Sequence, residues 1–124
     1  MLVARADGVM NGRYDLNEAI RRIKAFEAAG ADCLYIPAPA SMDDLARICA
    51  ATTLPVNALA AGKFANISRA QFAAIGVARI SLGAALARVT HRVIYDAATD
   101  MFRDGDFGAL TLTLPAAQTD KLMG

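Results

Sequence analysis

The sequence predicts an α/β fold built around a parallel sheet. Three stretches in succession have the same order: a capped amphipathic helix, a turn of small residues and an apolar run of strand length. Strands that alternate with helices of about ten residues imply right-handed βαβ crossovers. A chain of 124 residues has room for one core, so we expect residues 1–124 to form one domain or part of one.

The first predicted strand, Leu2 to Ala4, is short and is followed by Arg5 and Asp7. Three apolar residues fall below the usual strand length of five or six, so this strand needs a neighbouring sheet. Arg5 and Asp7 then lie at the carboxyl edge of the sheet, where α/β enzymes place the groups that touch substrate. Taken alone, the two residues are equally well explained as a salt bridge at a strand end.

Each of the three short helices begins with a residue that can cap it and has a partner three residues later. The pairs are Asp15 with Glu18, Ser41 with Asp44, and Ser68 with Gln71. Gly30 and Gly76 end the first and third helices. These signals predict where the helices start and stop.

A strand is predicted after each helix, over residues 31–37, 55–60 and 77–82. The first of these is almost continuously apolar, which is typical of a parallel strand covered on both faces. Arg79 falls near the start of the last strand, away from the carboxyl edge where α/β enzymes place functional groups, so we expect it to form a structural ion pair.

After Gly83 the pattern changes to one long helix, predicted from Ala84 to Arg103, with an apolar stripe that we expect to be buried. Pro115 is a suitable first residue for a short final helix. Residues 84–124 are therefore expected to form a helical C-terminal segment.

Composition argues against several functions. The net charge is +1, which provides no electrostatic footprint for nucleic acid or an anionic membrane. The longest uncharged run, residues 48–62, is too short and too polar to span a bilayer, and no export signal is recognisable. We therefore expect a cytoplasmic protein.

Cys33 and Cys49 are expected to be reduced and packed in the interior.

Four parallel strands form either a small open sheet or half of a TIM (β/α)8 barrel, which needs roughly 250 residues. The short first strand favours the half-barrel.

Four segments carry a family resemblance. They are Ala4-Arg-Ala-Asp7, Glu27-Ala-Ala-Gly-Ala-Asp32, Pro55-Val-Asn57 and Gly76-Val-Ala-Arg-Ile-Ser-Leu-Gly83. In order and spacing they resemble the isocitrate lyase and phosphoenolpyruvate mutase superfamily over nearly the whole chain. The resemblance implies that the chain covers strands five to eight of the family barrel.

The resemblance also implies a magnesium-dependent enzyme that makes or breaks C–C or C–P bonds through the enolate of pyruvate or a similar α-keto acid. It makes Arg5 the clamp for a substrate carboxylate or phosphonate and Asp7 the residue that orients Arg5. It places Asn57 against a substrate oxygen, although a polar residue satisfied within a barrel layer is an equal alternative. Ser81 and Gly83 end the last strand near the pocket, Gly83 chiefly for close packing. The family's metal-binding acids belong to the half-barrel that precedes this sequence.

Departures from the family pattern narrow the assignment. Pro37 and Ala38 stand where some lyases have a glutamate and the mutase has a histidine, which favours an oxaloacetate-decarboxylase-like or uncharacterised branch.

Two function classes stay open. One is an enzyme seen as its C-terminal half, acting on a small carboxylate or phosphonate and inactive as the isolated chain. The other is a non-catalytic half-barrel that at most binds a small carboxylate. A homo-oligomer that exchanges its last helix between subunits is implied by the resemblance.

Overall fold

Four short parallel strands and three intervening helices make up the first part of the chain. The computed structural model describes all residues, Met1–Gly124, as two compact units, residues 1–83 and 84–124. The elements of the first unit are β1 (Val3–Arg5), α1 (Leu16–Ala28), β2 (Cys33–Tyr35), α2 (Met42–Ala50), β3 (Val56–Leu59), α3 (Arg69–Ala74) and β4 (Val77–Ser81), with a 3₁₀ turn at Gly62–Phe64.

The strands lie in the order β1-β2-β3-β4, and every neighbouring pair is parallel. Each helix connects two adjacent strands, as the alternating pattern predicts. The predicted α/β class and parallel sheet are therefore confirmed. β1 includes Arg5 rather than ending at Ala4, because Arg5 pairs with Tyr35 in the ladder and the next amide, from Ala6, donates to the Tyr35 carbonyl over 2.9 Å.

The hydrophobic core lies between the sheet and the helices. Alternate strand residues, among them Leu34, Val56 and Ala58, are buried on the helix side of the sheet, as the two-residue period of a strand requires. The helices supply Ile23, Leu45, Ile48 and Phe72 to the same cluster. Phe72 and Phe64 meet edge to face, with ring centroids 6.4 Å apart.

The three predicted caps form, but only one capping box is complete. Ser68 Oγ accepts from the Gln71 amide, and Gln71 Oε1 accepts from the Ser68 amide. Asp15 caps α1, yet the Glu18 carboxylate bonds Arg22 instead of returning to the cap. A carboxylate one helical turn before an arginine finds a charged partner, whereas the neutral Gln71 has no such partner.

Residues 84–124 contain α4 (Ala85–Asp104), a 3₁₀ turn (Gly108–Thr111) and α5 (Ala116–Met123). Gly105 ends α4 in the left-handed region, with φ 66°, which glycine adopts at little cost. No residue of α4 is buried, so the apolar stripe is not covered within the chain, and its burial against a partner subunit stays a prediction. None of its helices has the combination of length and apolarity that crossing a bilayer requires.

Candidate functional site

A cavity of about 420 Å³ lies against the sheet and takes side chains from all four strands. Its lining residues alternate with the core residues along each strand, so the cavity is on the face away from the helices. The lining comprises Val3, Arg5, Met10, Tyr35, Pro37, Asn57, Leu59, Arg79, Ser81 and Gly83.

Four polar or charged residues form a row across this face. Arg5 is in register with Tyr35, Tyr35 with Asn57, and Asn57 with Arg79. Residues in register on neighbouring strands project from the same side of a sheet. The ladder therefore places two guanidinium groups at the ends of the row and a phenol and an amide between them.

Arg5 is held by two neighbours. Its Nε and Nη2 atoms donate to Asp7 Oδ1 at 3.1 and 3.0 Å, and its Cζ atom lies 5.0 Å from the centre of the Tyr35 ring. The Arg5 Nη1 atom donates a hydrogen bond to no group of the chain. Arg5 is thus oriented on one edge and retains free N–H donors for a ligand.

Tyr35 supplies a neutral hydroxyl to the cavity. Burial raises the pKa of the Tyr35 phenol above its ordinary value of 10.0, and the nearby Arg5 charge opposes that shift without reversing it. Burial disfavours the charged phenolate, so this group is protonated at neutral pH.

Asn57 is 1% exposed, and its amide is held at both ends. Arg79 Nη1 donates to Asn57 Oδ1 over 2.9 Å, and Asn57 Nδ2 donates to Ser81 Oγ over 3.0 Å. Ser81 Oγ in turn donates to the Ala58 carbonyl over 3.2 Å. Because an arginine can only donate hydrogen bonds, Arg79 sets the direction of every hydrogen bond in this series.

The expectation for Arg79 was wrong. Arg79 forms no ion pair with a carboxylate of the chain; its partner is Asn57, and it lines the cavity. The cause is a register shift between β3 and β4: Val56 pairs with Val77 but Asn57 pairs with Arg79. Ala78 is therefore an extra residue in β4, and such a bulge turns the side chains that follow it toward the opposite face of the sheet. One sequence signal could have indicated this role of Arg79. Asn57 lies within an apolar strand, and an amide buried there needs a hydrogen-bond donor.

The other residues singled out in the sequence come together. Arg5, Asn57, Ser81 and Gly83 line one cavity, and Asp7 bonds Arg5 beside it. Gly83 has φ 54°, and a Cβ atom there would lie 3.3 Å from Leu59 Cδ1. Close packing and backbone conformation both favour glycine at this position. The assigned roles of these residues toward a substrate stay predictions.

A second cavity of about 240 Å³ lies beyond the carboxyl ends of β2 and β3, between Ile36, Leu45 and Phe64. Its rim includes Ala38, the single non-glycine residue with positive φ, at 56°. No acid or base lines this cavity except Lys63, whose Nζ donates to the Ala40 carbonyl over 3.0 Å. The β2 end therefore contributes no carboxyl or imidazole group for proton transfer.

The residues of the larger cavity do not fit a magnesium ion. Mg²⁺ prefers carboxylate and other oxygen ligands, whereas the charged groups that line the cavity are two arginines. No three His, Cys, Asp or Glu residues of the chain are grouped closely enough to hold a metal ion.

Comparisons with known proteins place the chain in a family. The family model described as phosphoenolpyruvate phosphomutase matches residues 1–102. A search of curated proteins gives no match.

Among solved structures, a proposed lyase/mutase from Burkholderia cenocepacia J2315 is 36% identical, with a TM-score of 0.91 over 99% of this chain. A phosphoenolpyruvate phosphomutase from Streptomyces platensis subsp. rosaceus is 24% identical, with a TM-score of 0.80 over 100% of the chain. A phosphonopyruvate hydrolase in complex with oxalate and Mg²⁺ is 23% identical, with a TM-score of 0.72 over 98%.

The chain spans 44%, 44% and 46% of the length of these three solved proteins. Its four-stranded parallel sheet corresponds to half of a TIM barrel, which confirms the predicted half-barrel fold. The match of the family model to most of the chain confirms the resemblance found in the sequence motifs. The chain belongs to the phosphoenolpyruvate phosphomutase family, within the isocitrate lyase and phosphoenolpyruvate mutase superfamily.

Proposed function

We propose that this chain is the C-terminal half of a lyase or mutase barrel that acts on a small α-keto or 2-hydroxy carboxylic acid, cleaving a C–C or C–P bond or removing CO₂ through a pyruvate enolate. The observation that carries the proposal is the geometry of Arg5. Its guanidinium is fixed by Asp7 and by the Tyr35 ring at the end of β1, with free donors beside an open cavity.

Within this proposal Arg5 binds the substrate carboxylate or phosphonate. A planar guanidinium can offer two parallel N–H groups to one carboxylate, which defines the plane of the bound acid as well as attracting it. Asp7 orients Arg5 through the two bonds to Oδ1. Asn57 and Ser81 form the polar floor of the pocket, and Gly83 keeps the end of β4 free of side-chain bulk.

The proposed reaction depends on Mg²⁺, a cofactor that stabilises enolate oxygens in such chemistry. A related phosphonopyruvate hydrolase has been solved with oxalate and Mg²⁺. The residues of this chain do not fit the ion, so we propose that its ligands lie outside these 124 residues. The contribution of this half is to bind and orient the anionic substrate.

The alternative function is a non-catalytic half-barrel that binds a small carboxylate at Arg5 and Asn57. Native mass spectrometry of the protein isolated from its source separates the two. A longer chain, or a tightly held partner of about half-barrel size, supports the enzyme. The 124-residue chain alone supports the alternative.

We further propose a cytoplasmic homo-oligomer that exchanges its last helix between subunits. Supporting this, Leu86, Val89 and Val93 of α4 are 64%, 60% and 65% exposed, and an exposed apolar stripe on a helix is typical of a surface that a partner covers. We propose no nucleic-acid or membrane partner.

Calorimetric titration of oxalate into the full chain tests the proposed site. We expect saturable binding by the unaltered protein and loss of about tenfold or more in affinity for Arg5→Met, because a charge-assisted bidentate contact is removed. Arg69→Met is the control, since Arg69 is an exposed arginine at the start of α3. Equal affinity in Arg5→Met and the unaltered chain would contradict the role of Arg5.

The isolated chain should not release pyruvate from oxaloacetate or phosphonopyruvate in the presence of Mg²⁺. Magnesium-dependent pyruvate release that disappears in Arg5→Met would show that the chain holds the metal itself, contrary to the proposal.

A further inference from the structure

The segment between β1 and α1 carries two side chains of the candidate site. Asp7 accepts two hydrogen bonds from Arg5, and Met10 lines the cavity. We call residues 7–13 the β1–α1 loop. A loop that holds functional side chains depends for its position on the rigid elements around it, so the contacts that fix this loop bear directly on the site.

The ion pair between Arg5 and Asp7 does not hold itself in place. The two side chains are 50% and 44% exposed, and an ion pair this exposed contributes little free energy, because water screens it and both side chains lose rotamer freedom. Before Asp7 the chain is secured by Ala6, which is buried and whose amide donates to the Tyr35 carbonyl. After Asp7 it must be secured by the loop.

Two backbone hydrogen bonds close the loop at its base. The Arg13 amide donates to the Gly8 carbonyl over 2.8 Å, and the Asn11 amide donates to the Asp7 carbonyl over 3.2 Å. Both bonds draw the far part of the loop back to its first two residues. The position of Asp7 therefore depends on what holds Gly8.

Tyr14 packs its ring against the backbone of Gly8. A Cβ atom at Gly8 would overlap the Tyr14 ring, so no larger residue fits there unless the ring or the loop moves. Gly8 is buried and does not have a positive φ. The lack of a side chain at this position therefore permits a close contact with the ring, and is not needed for an unusual backbone conformation.

The Tyr14 ring is itself held from α1. The Cζ atom of Arg22 lies 4.4 Å from the centre of the ring, which is a cation–π distance, and Arg22 Nε donates to Glu18 Oε1 over 2.7 Å. A continuous series of contacts thus runs from α1 through Tyr14 and Gly8 to Asp7.

We infer that Tyr14 is a positioning residue for the proposed anion site: by packing on Gly8 it fixes the β1–α1 loop, and through Asp7 it fixes Arg5. The inference rests on the proposed function for the role of Arg5. Tyr14 does not line the cavity; its effect is to reduce the conformational entropy that Arg5 loses when it binds an anion.

Calorimetric titration of oxalate into variants of the full chain tests the inference. Tyr14→Ala should weaken binding by about two- to tenfold, because Arg5 must then be ordered at the moment of binding. Tyr14→Phe should bind as the unaltered chain does, since the ring makes both contacts. Tyr95→Ala removes the same side chain from an exposed position of α4; it is the control and should leave the affinity unchanged.

A double-mutant cycle separates positioning from a general loss of stability. If Tyr14 acts through Asp7, Tyr14→Ala should weaken oxalate binding no further in an Asp7→Ala background. A general loss of stability would weaken binding equally in both backgrounds, and urea unfolding of the same variants reports on it.

Gly8→Ala tests the same contact from its other side. The added methyl group displaces the Tyr14 ring, so this variant should weaken oxalate binding about as much as Tyr14→Ala does. Because both changes break one contact, the double variant should bind no more weakly than either single variant.

The loop can also be observed without a ligand. The Arg13 amide is bonded to the Gly8 carbonyl, and its hydrogen exchange should become about tenfold faster in Tyr14→Ala, since the loop then opens without global unfolding. In Tyr14→Phe the exchange rate should stay that of the unaltered chain.

Equal oxalate affinity in Tyr14→Ala and the unaltered chain would overturn the inference, as would a loss of the same size with and without Asp7. The proposed function fails by a different result, namely an Arg5→Met variant that binds oxalate as the unaltered chain does. If Arg5→Met weakens binding and Tyr14→Ala does not, the proposed function stands and the inference about Tyr14 is wrong. Absence of oxalate binding by the unaltered chain contradicts both.

Discussion

Arg79 Nη1 lies 2.9 Å from Asn57 Oδ1, and this one contact orders the polar network on the open face of the half-barrel. Since arginine cannot accept a hydrogen bond, the carbonyl oxygen of Asn57 must face Arg79 and its amide nitrogen must face Ser81. A buried amide that is fully oriented in this way is part of the packed structure and part of the cavity wall at once.

The Asn57 network should contribute measurably to stability. Ser81→Ala removes the acceptor for Asn57 Nδ2 and leaves a buried N–H without its partner, which costs about 1–3 kcal/mol. Urea unfolding measures the change. Thr113→Ala in the exposed C-terminal tail is the control and should lie within about 0.5 kcal/mol of the unaltered protein. Equal stability of the two variants would mean that the network contributes nothing.

The complete capping box of α3 should matter to folding. Ser68→Ala removes the acceptor for the Gln71 amide, and loss of such a cap costs about 1 kcal/mol. Ser68→Asp retains an acceptor and should recover most of the loss. If the alanine and aspartate variants unfold at the same urea concentration, the cap is not a source of stability.

Phe72 should be one of the most sensitive core positions. It is 1% exposed and packs edge to face on Phe64, so Phe72→Ala should cost about 3–5 kcal/mol through lost burial and a new cavity. Phe102, which is 92% exposed, supplies the matched control, because Phe102→Ala removes the same atoms without opening a core. Comparable losses in the two variants would contradict the described core.

Glu27 should make stability depend on pH. It joins the end of α1 to the segment before β3: Thr53 Oγ1 and Thr52 Oγ1 donate to its carboxylate at 2.6 and 2.7 Å. These bonds, with Thr53 first, lower the pKa of Glu27 below its ordinary value of 4.5. A lowered folded-state pKa means that the stabilisation is present above pH 4.5 and is lost as pH falls through the folded-state pKa.

The expected result is a stability gap between the unaltered protein and Glu27→Gln that is constant above about pH 5 and narrows toward pH 3. Urea midpoints measured across that range give the gap. Thr113→Ala, in the exposed C-terminal tail, changes no titratable group and is the control, which should show no such trend. A stability gap that does not change with pH would mean that the hydrogen bonds to Glu27 stabilise the fold equally whether or not the carboxylate is charged.

Local signals explain why much of the fold could be predicted. Each cap, each glycine stop and each apolar run acts within a few residues, so Ser68 begins α3 and the run before Pro37 forms β2 with no need for distant contacts. The site was predicted in part: Arg5 and Ser81 were placed by the ends of their strands, and they do line one cavity.

Competition between partners is harder to predict than a single local signal. Glu18 has the position of a capping-box residue, but it also stands four residues before Arg22, within reach along a helix, and its carboxylate bonds Arg22. The apolar stripe of α4 likewise predicts that another surface packs on it, but the sequence of a single helix does not specify which surface that is.

The sequence by itself determined the helix limits, the parallel α/β class and the strands that carry Arg5, Asn57 and Ser81, because these depend on local propensity and the spacing of apolar residues. Only the tertiary structure decided the face on which Arg79 lies. The extra residue at Ala78 is visible only when β4 is paired with β3, and a shift of one residue in a strand moves a side chain from one face of the sheet to the other.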